Sequence, residues 1–275
     1  MRRVLTVVGG ITVVALLVWA FMPNGGRTDL QLSFSGLPPL ANGFYYEGWA
    51  VVDGEPWTTG KFNVAADGSL VTPDGEPVRD GVYEAGIDMS DAAVVAITVH
   101  PPEDDRGPGA PHIVGGAVTG HRGELTIASP DGLGTDFADA SGLYVLDGSN
   151  ASLSFRLPGL HPGYSYQAWA VRDGQATSLG AFGGTPVMMP KEGEMTKHVH
   201  MTTDHTLHTH DVAVDGMDLR GATLLLTLEP IPDDSPEPFG ITLLEGRVEA
   251  SAEDGVQYPI SRSADPLPSG QATIK

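Results

Sequence analysis

A seventeen-residue stretch, Tyr46–Phe62 (YEGWAVVDGEPWTTGKF), returns 120 residues later as Tyr166–Phe182 (YQAWAVRDGQATSLGAF). Tyr, Trp, Ala, Val, Asp, Gly and a closing Gly-x-Phe keep the same internal spacing. Matched segments flank both copies. Leu32-x-Phe34 recurs as Leu153-x-Phe155, Gly36-Leu37-Pro38-Pro39 as Gly159-Leu160-His161-Pro162, and Val94–Pro101 (VVAITVHP) as Thr223–Pro230 (TLLLTLEP). Self-similarity over such a span means one domain copied in tandem, each copy burying its own core with the same pattern.

The local pattern is that of strands and turns. Leu30, Leu32 and Phe34 alternate with polar residues, a strand signature. Tyr45–Val52 follows, with Glu47, Trp49 and Val51 on one face and Tyr46, Gly48 and Ala50 on the other, because successive side chains of a strand alternate. Asp53-Gly54 turns the chain back into a hairpin. The unbroken apolar run Val94–Val99 fits a strand buried on both faces or in a sandwich core. Gly and Pro, 36 and 22 in number, punctuate short apolar runs, so they mark turns in a folded all-β chain. Copy two carries nine extra residues between Phe182 and Thr223 relative to the interval from Phe62 to Val94.

Val4–Met22 is uncharged over 19 residues, close to the roughly 20 a helix needs to cross a bilayer. Arg2 and Arg3 precede it, which keeps the N-terminus inside and sends the remainder out. The rival reading is a cleaved signal peptide; Val18-Trp19-Ala20 is a poor small-x-small cleavage site, which favours an uncleaved anchor. The expected fold is therefore all-β, two tandem β-sandwich domains after a single N-terminal transmembrane helix. The divisions are a cytoplasmic stub at 1–3, the transmembrane helix at 4–22, a linker at 23–28, copy one at 29–127, a junction at 128–150, copy two at 151–249 with a His-rich insertion at 188–210, and a tail at 250–275. The junction has one apolar patch, Leu143–Leu146, suited to a closing strand, and the tail has a candidate edge strand around Val256–Ile260. The expected location is the cell membrane, single-pass, with the bulk of the chain extracytoplasmic.

The net charge of −20, from 35 acidic and 15 basic residues, would repel phosphate and argues against nucleic-acid binding. There is no cysteine, hence no disulfide, thiolate site or cysteine nucleophile.

The order Gly-Leu-Pro, Tyr-x-x-Trp, Asp-Gly, Gly-x-Phe and then Leu-Thr-Leu-Glu-Pro with an acidic Pro-containing loop resembles the extracytoplasmic domain of the anti-sigma-K factor (RskA) family. The match is closest in copy two, at Tyr166, Trp169, Gly174, Gly180, Phe182 and Thr227–Pro230; copy one has His100 where the family pattern has Glu. The likeness covers about Leu30–Ile127 and Leu153–Val248. It implies a membrane-anchored β-sandwich module, with no catalytic residues to carry over. In that family a cytoplasmic domain binds the sigma factor; with three residues before the apolar segment, a sigma factor is not the expected partner, and an envelope protein is.

Five of nine histidines fall in His198–His210 (HVHMTTDHTLHTH). His198 and His200 mirror His208 and His210 about Asp204. A hairpin with its tip there would oppose the two pairs at Cβ separations of about 4.5–5.5 Å. Four imidazoles on one face, with His205 near the tip as an auxiliary, suit zinc or copper. Met188, Met189, Met195 and Met201 lie close in sequence, and thioethers favour Cu(I). In that arrangement Val199, Met201 and Leu207 take the opposite face and pack on the domain. The bland reading is a solvated polar hairpin; another is a pH sensor built on clustered imidazoles. His100, His112, His121 and His161 read as surface residues, and the acidic loops at Glu103–Asp105 and Asp233-Asp234 as solvated, lacking the regular oxygen-ligand spacing of a calcium loop. Tyr46, Trp49, Tyr166 and Trp169 read as core and near-core; a carbohydrate platform is the minor alternative.

No Gly-x-Ser-x-Gly, His-Glu-x-x-His or phosphate loop is present, so the expectation is a non-enzymatic module for envelope sensing or binding. The alternative is an extracytoplasmic metal-handling protein using His198, His200, His205, His208 and His210.

Overall fold

The computed structural model describes residues 27–104, 107–127, 136–160, 162–184 and 206–275. They are all-β apart from short 3-10 turns. Among them no helix is long and apolar enough to cross a membrane; the segment 4–22 lies outside the described residues.

The strands in chain order begin with β1 (Asp29–Ser35), β2 (Tyr45–Val52), β3 (Glu55–Val64), β4 (Leu70–Val71), β5 (Val82–Glu84), β6 (Ala92–His100), β7 (His112–Thr119) and β8 (Arg122–Ile127). They continue with β9 (Ser141–Asp147), β10 (Asn150–Pro158), β11 (Tyr164–Arg172), β12 (Gln175–Phe182), β13 (Leu207–Val214), β14 (Thr223–Pro230), β15 (Thr242–Arg247), β16 (Gln257–Arg262) and β17 (Ser269–Ile274). Two sheets form, ordered β4-β3-β2-β6-β7-β8-β17-β1-β5 and β12-β11-β14-β15-β16-β9-β10-β13. All strand-to-strand pairings between named strands are antiparallel.

The repeat motif maps onto the β2–β3 and β11–β12 hairpins. Both turns are Asp-Gly with positive φ at both residues: Asp53 at 53° and Gly54 at 83°, Asp173 at 52° and Gly174 at 77°. That is the turn whose twist matches a two-residue hairpin. The Gly of Gly-x-Phe has an equally local cause. Register slips by one residue opposite Gly48/Trp49 and Ala168/Trp169, a β-bulge, and Gly60 and Gly180 sit there at φ of 129° and 131°, values that a Cβ disfavours.

Behind each hairpin the same aromatic trio closes the core. Phe34 stacks on Phe62 at 5.5 Å and Tyr46 lies 5.4 Å from Phe62; Phe155 stacks on Phe182 at 5.6 Å, with Tyr166 at 6.0 Å. The buried Tyr46 hydroxyl donates to the Pro38 carbonyl at 2.7 Å, and Tyr166 to Pro158 at 2.9 Å. These bonds correct the alignment read from sequence: Pro38 corresponds to Pro158, not to the residues around Leu160.

Laying the two sheet orders side by side equates β17 with β9. The second sheet takes this inner strand from immediately before β10. The first takes it from the C-terminal part of the chain, between β8 and β1, in register Leu30↔Ile274 and Thr126↔Ser269. The tail after residue 249 thus holds two strands, and neither is at an edge, since β16 pairs with both β15 and β9. The two halves also touch directly. Asp234 Oδ2 accepts the Ala41 N–H at 2.8 Å and its carbonyl accepts Asn42 Nδ2 at 2.8 Å. Buried apolar side chains of both halves form one connected cluster.

Candidate functional site

Three of the five histidines singled out in the sequence, His198, His200 and His205, lie outside the described residues, so their opposition to the other two has no structural account here. His208 and His210 lie on β13, across from Leu157 and Phe155 of β10, at the edge of the second sheet. They share a face, but it is the face that also carries Val212 and the buried Val214. His210 is half-buried, its ring 5.1 Å from Phe182 and 6.4 Å from Tyr166. His210 therefore turns toward the domain, onto the aromatic surface that Phe182 offers at the end of β12, while His208 is exposed. Burial, and secondarily His208, pull the His210 pKa below its ordinary value, while Asp211 pushes the other way. Among the described residues no three His, Asp or Glu side chains group so as to hold a metal ion.

A different constellation is present twice, on the outer face of the strands that carry the tryptophans. In the first half, β2 contributes Tyr45, Glu47 and Trp49, β3 contributes Thr58 and Lys61, and β6 contributes Thr98 and His100. Although this is the face away from the core, Trp49, Glu47, Thr98 and His100 are buried, His100 completely, because the acidic Pro loop after β6 folds back over it. A Cβ placed on Gly107 would lie 3.7 Å from Trp49, and Asp104 Oδ2 lies 2.9 Å from His100 Nδ1. A carboxylate only accepts, so Nδ1 donates. His100 Nε2 lies 2.7 Å from Thr98 Oγ1 and 3.7 Å from Glu47 Oε2. Thr98 Oγ1 also accepts the Trp49 indole N–H at 2.9 Å. Thr58 donates to Glu47 Oε1 at 2.6 Å. The His100 ring stacks on Tyr45 at 5.1 Å, and Lys61 Nζ donates to the Tyr45 hydroxyl at 3.0 Å; that bond raises the Lys61 pKa.

The second half repeats the plan with different charges. Trp169 Nε1 donates to Thr227 Oγ1 at 2.8 Å, and Gln167 Nε2 donates to Ser178 Oγ at 3.0 Å. Glu229 takes the place of His100. Its Oε1 accepts the Thr227 hydroxyl and, at 3.0 Å, the backbone N–H of Phe239, so it too ties down the loop that follows its strand. Its other oxygen is buried and finds no hydrogen-bond partner among the described residues. Burial is the main reason that the Glu229 pKa rises from 4.5 to about 7; the bonds from Thr227 and Phe239 oppose the rise, and Asp233 and Asp234 add to it. Asp234, also buried, is pushed up as well, chiefly by burial.

The two sites are thus latches: a Trp–Thr pair on the sheet, and a His or Glu at the strand end that grips the returning loop. The sequence reading put His100 on the surface and the loop acids in water; the structure places His100 and Asp104 in an internal hydrogen-bonded pair. The signal lay in the aligned strand ends, Thr98-x-His100-Pro101 and Thr227-x-Glu229-Pro230, where a polar residue recurs inside apolar runs. No family model, curated protein or solved structure matches the chain.

Proposed function

We propose that the chain is a membrane-anchored, extracytoplasmic and non-enzymatic module that binds an envelope partner, built from two β-sandwich units like the outer domains of anti-sigma-K factors. One observation carries this reading. The side chains with the most chemical potential, His100 and Glu229, are sealed from solvent and spent on fixing loops. Such wiring holds a loop in one shape for recognition, and rigid scaffolds that present loops are the common form of binding proteins. The anchor rests on the uncharged Val4–Met22 run behind Arg2 and Arg3.

The test is protease shaving of intact cells, followed by photo-cross-linking from Ser235 in the Glu229 loop, with Ser152 on β10 as the comparison. Digestion from outside together with a Ser235-specific adduct is expected. Protection from external protease would remove the anchored topology, and identical adducts from both positions would remove loop recognition.

A second reading, capture of copper or zinc, is favoured by His208 and His210 lying two residues apart on one strand, with the second held toward its neutral, ligating form. Titrating the detergent-solubilised full chain with Zn²⁺ and Cu²⁺, beside the His200→Ala/His208→Ala variant, decides it. Stoichiometric binding lost in the variant supports it; weak binding unchanged by the substitutions ends it.

A further inference from the structure

The first unit is completed by a strand from far along the chain. Remove Ser269–Ile274 and β1 and β8 each lose a ladder: β17 pairs with six residues of β1 and five of β8. The slot is an inner position of the sheet, where an empty place would leave two rows of backbone groups unsatisfied. In the second unit the same position belongs to β9, held by a two-residue connection to β10 and by the buried Tyr144 and Leu146. β17 lacks such a short connection to its neighbours and buries smaller side chains. Of its six side chains only Ala272 and Ile274 are buried. The remainder is Ser, Gly, Gln and Thr, so the strand is held largely by its backbone ladder. Along its seam with β8 runs a shallow polar cleft of about 230 Å³, lined by Arg122, Glu124, Gln271 and Thr273. The connection from β16 is the six-residue segment Ser263–Pro268, with Ala264, Asp265 and Pro266 exposed and Pro268 buried.

A strand fixed by generic backbone bonds, on a short proline-bearing connection and in a slot that any copy of the chain also possesses, meets the conditions for exchange between protomers. We propose that Ser269–Ile274 is an exchangeable strand and that a second copy of this chain is its alternative host, so that two copies pair by inserting β17 reciprocally between β1 and β8. Every contact that closes the single chain is reproduced in the pair, which leaves concentration and the connection's geometry to set the balance.

Ser33 and Gln271 are register partners and both exposed, and the chain has no cysteine. Full-length Ser33→Cys protein is mixed in detergent with tagged Gln271→Cys protein and treated with a short thiol cross-linker. The expected result is a mixed dimer about tenfold above that from Ser33→Cys mixed with Ser152→Cys, since seated strands see a far higher effective concentration than colliding ones. Deleting Ala264–Leu267, which shortens the reach within one chain, is expected to raise the mixed dimer further. The double variant Ser33→Cys/Gln271→Cys checks that the pair reacts when seated. If it links within single chains while the mixed dimer stays at the Ser152→Cys background, with and without the deletion, exchange is refuted.

Discussion

Replacing Glu229 by Gln isolates the energetics of the second latch. Glu229 is 1 % exposed, with one oxygen lacking a partner among the described residues, and its pKa rises from 4.5 to about 7. At about 1.4 kcal/mol per unit this corresponds to about 3 kcal/mol of folding free energy. The sign follows from proton counting. Between about pH 4.5 and 7 the folded chain keeps this proton and the unfolded chain has lost it. Unfolding therefore releases a proton, and stability falls as pH rises through that window. Above about pH 7 both states are ionised and the full penalty persists. Glutamine keeps an acceptor for Thr227 and the Phe239 N–H but places an amide where the partnerless oxygen lies, at a cost of about 1–3 kcal/mol. The variant is thus expected to be less stable than the parent at pH 5 and level or better at pH 8. Urea unfolding at pH 5, 6, 7 and 8 measures this as a loss of about 3 kcal/mol of pH dependence. Asp234 contributes in the same direction, so the difference between the two proteins is the quantity to read. Equal slopes in parent and variant would refute the assignment of Glu229 as a buried, partly desolvated carboxyl.

In the first latch, His100→Ala leaves the Asp104 carboxylate, 7 % exposed, without its imidazole; a loss of about 3–5 kcal/mol is expected, with a red-shifted Trp49 emission as the loop lifts, and an unshifted emission would show that the loop is held by other contacts. Gly60→Ala and Gly180→Ala both force a side chain into a positive φ, at about 1–3 kcal/mol, but only the first also drives a Cβ to 2.9 Å from Tyr83; thermal melts should rank Gly60→Ala below Gly180→Ala, and the opposite ranking would rule out the contact. Tyr166→Phe strands the buried Pro158 carbonyl that its hydroxyl serves and should cost about 1–3 kcal/mol in urea unfolding, where no change would mean that the bond carries no net weight.

Residues close in the chain settled the doubling, the two Asp-Gly hairpins and the alternation that puts Tyr46 and Trp49 on opposite faces. Turn type, bulge and face depend on φ preference and on the two-residue period of a strand, and both act within a few neighbours. What took tertiary structure was every feature in which distant segments meet. The composition of Ser269–Ile274 bears no mark that it belongs beside Leu30, because a backbone ladder accepts almost any side chains and its partner is chosen by the whole topology. The burial of His100 came from a loop folding over the outer face of a sheet, which no periodicity announces. His210 of β13 packs inward because of where Phe182 ends, 28 positions before it in the chain and 5.1 Å away in space.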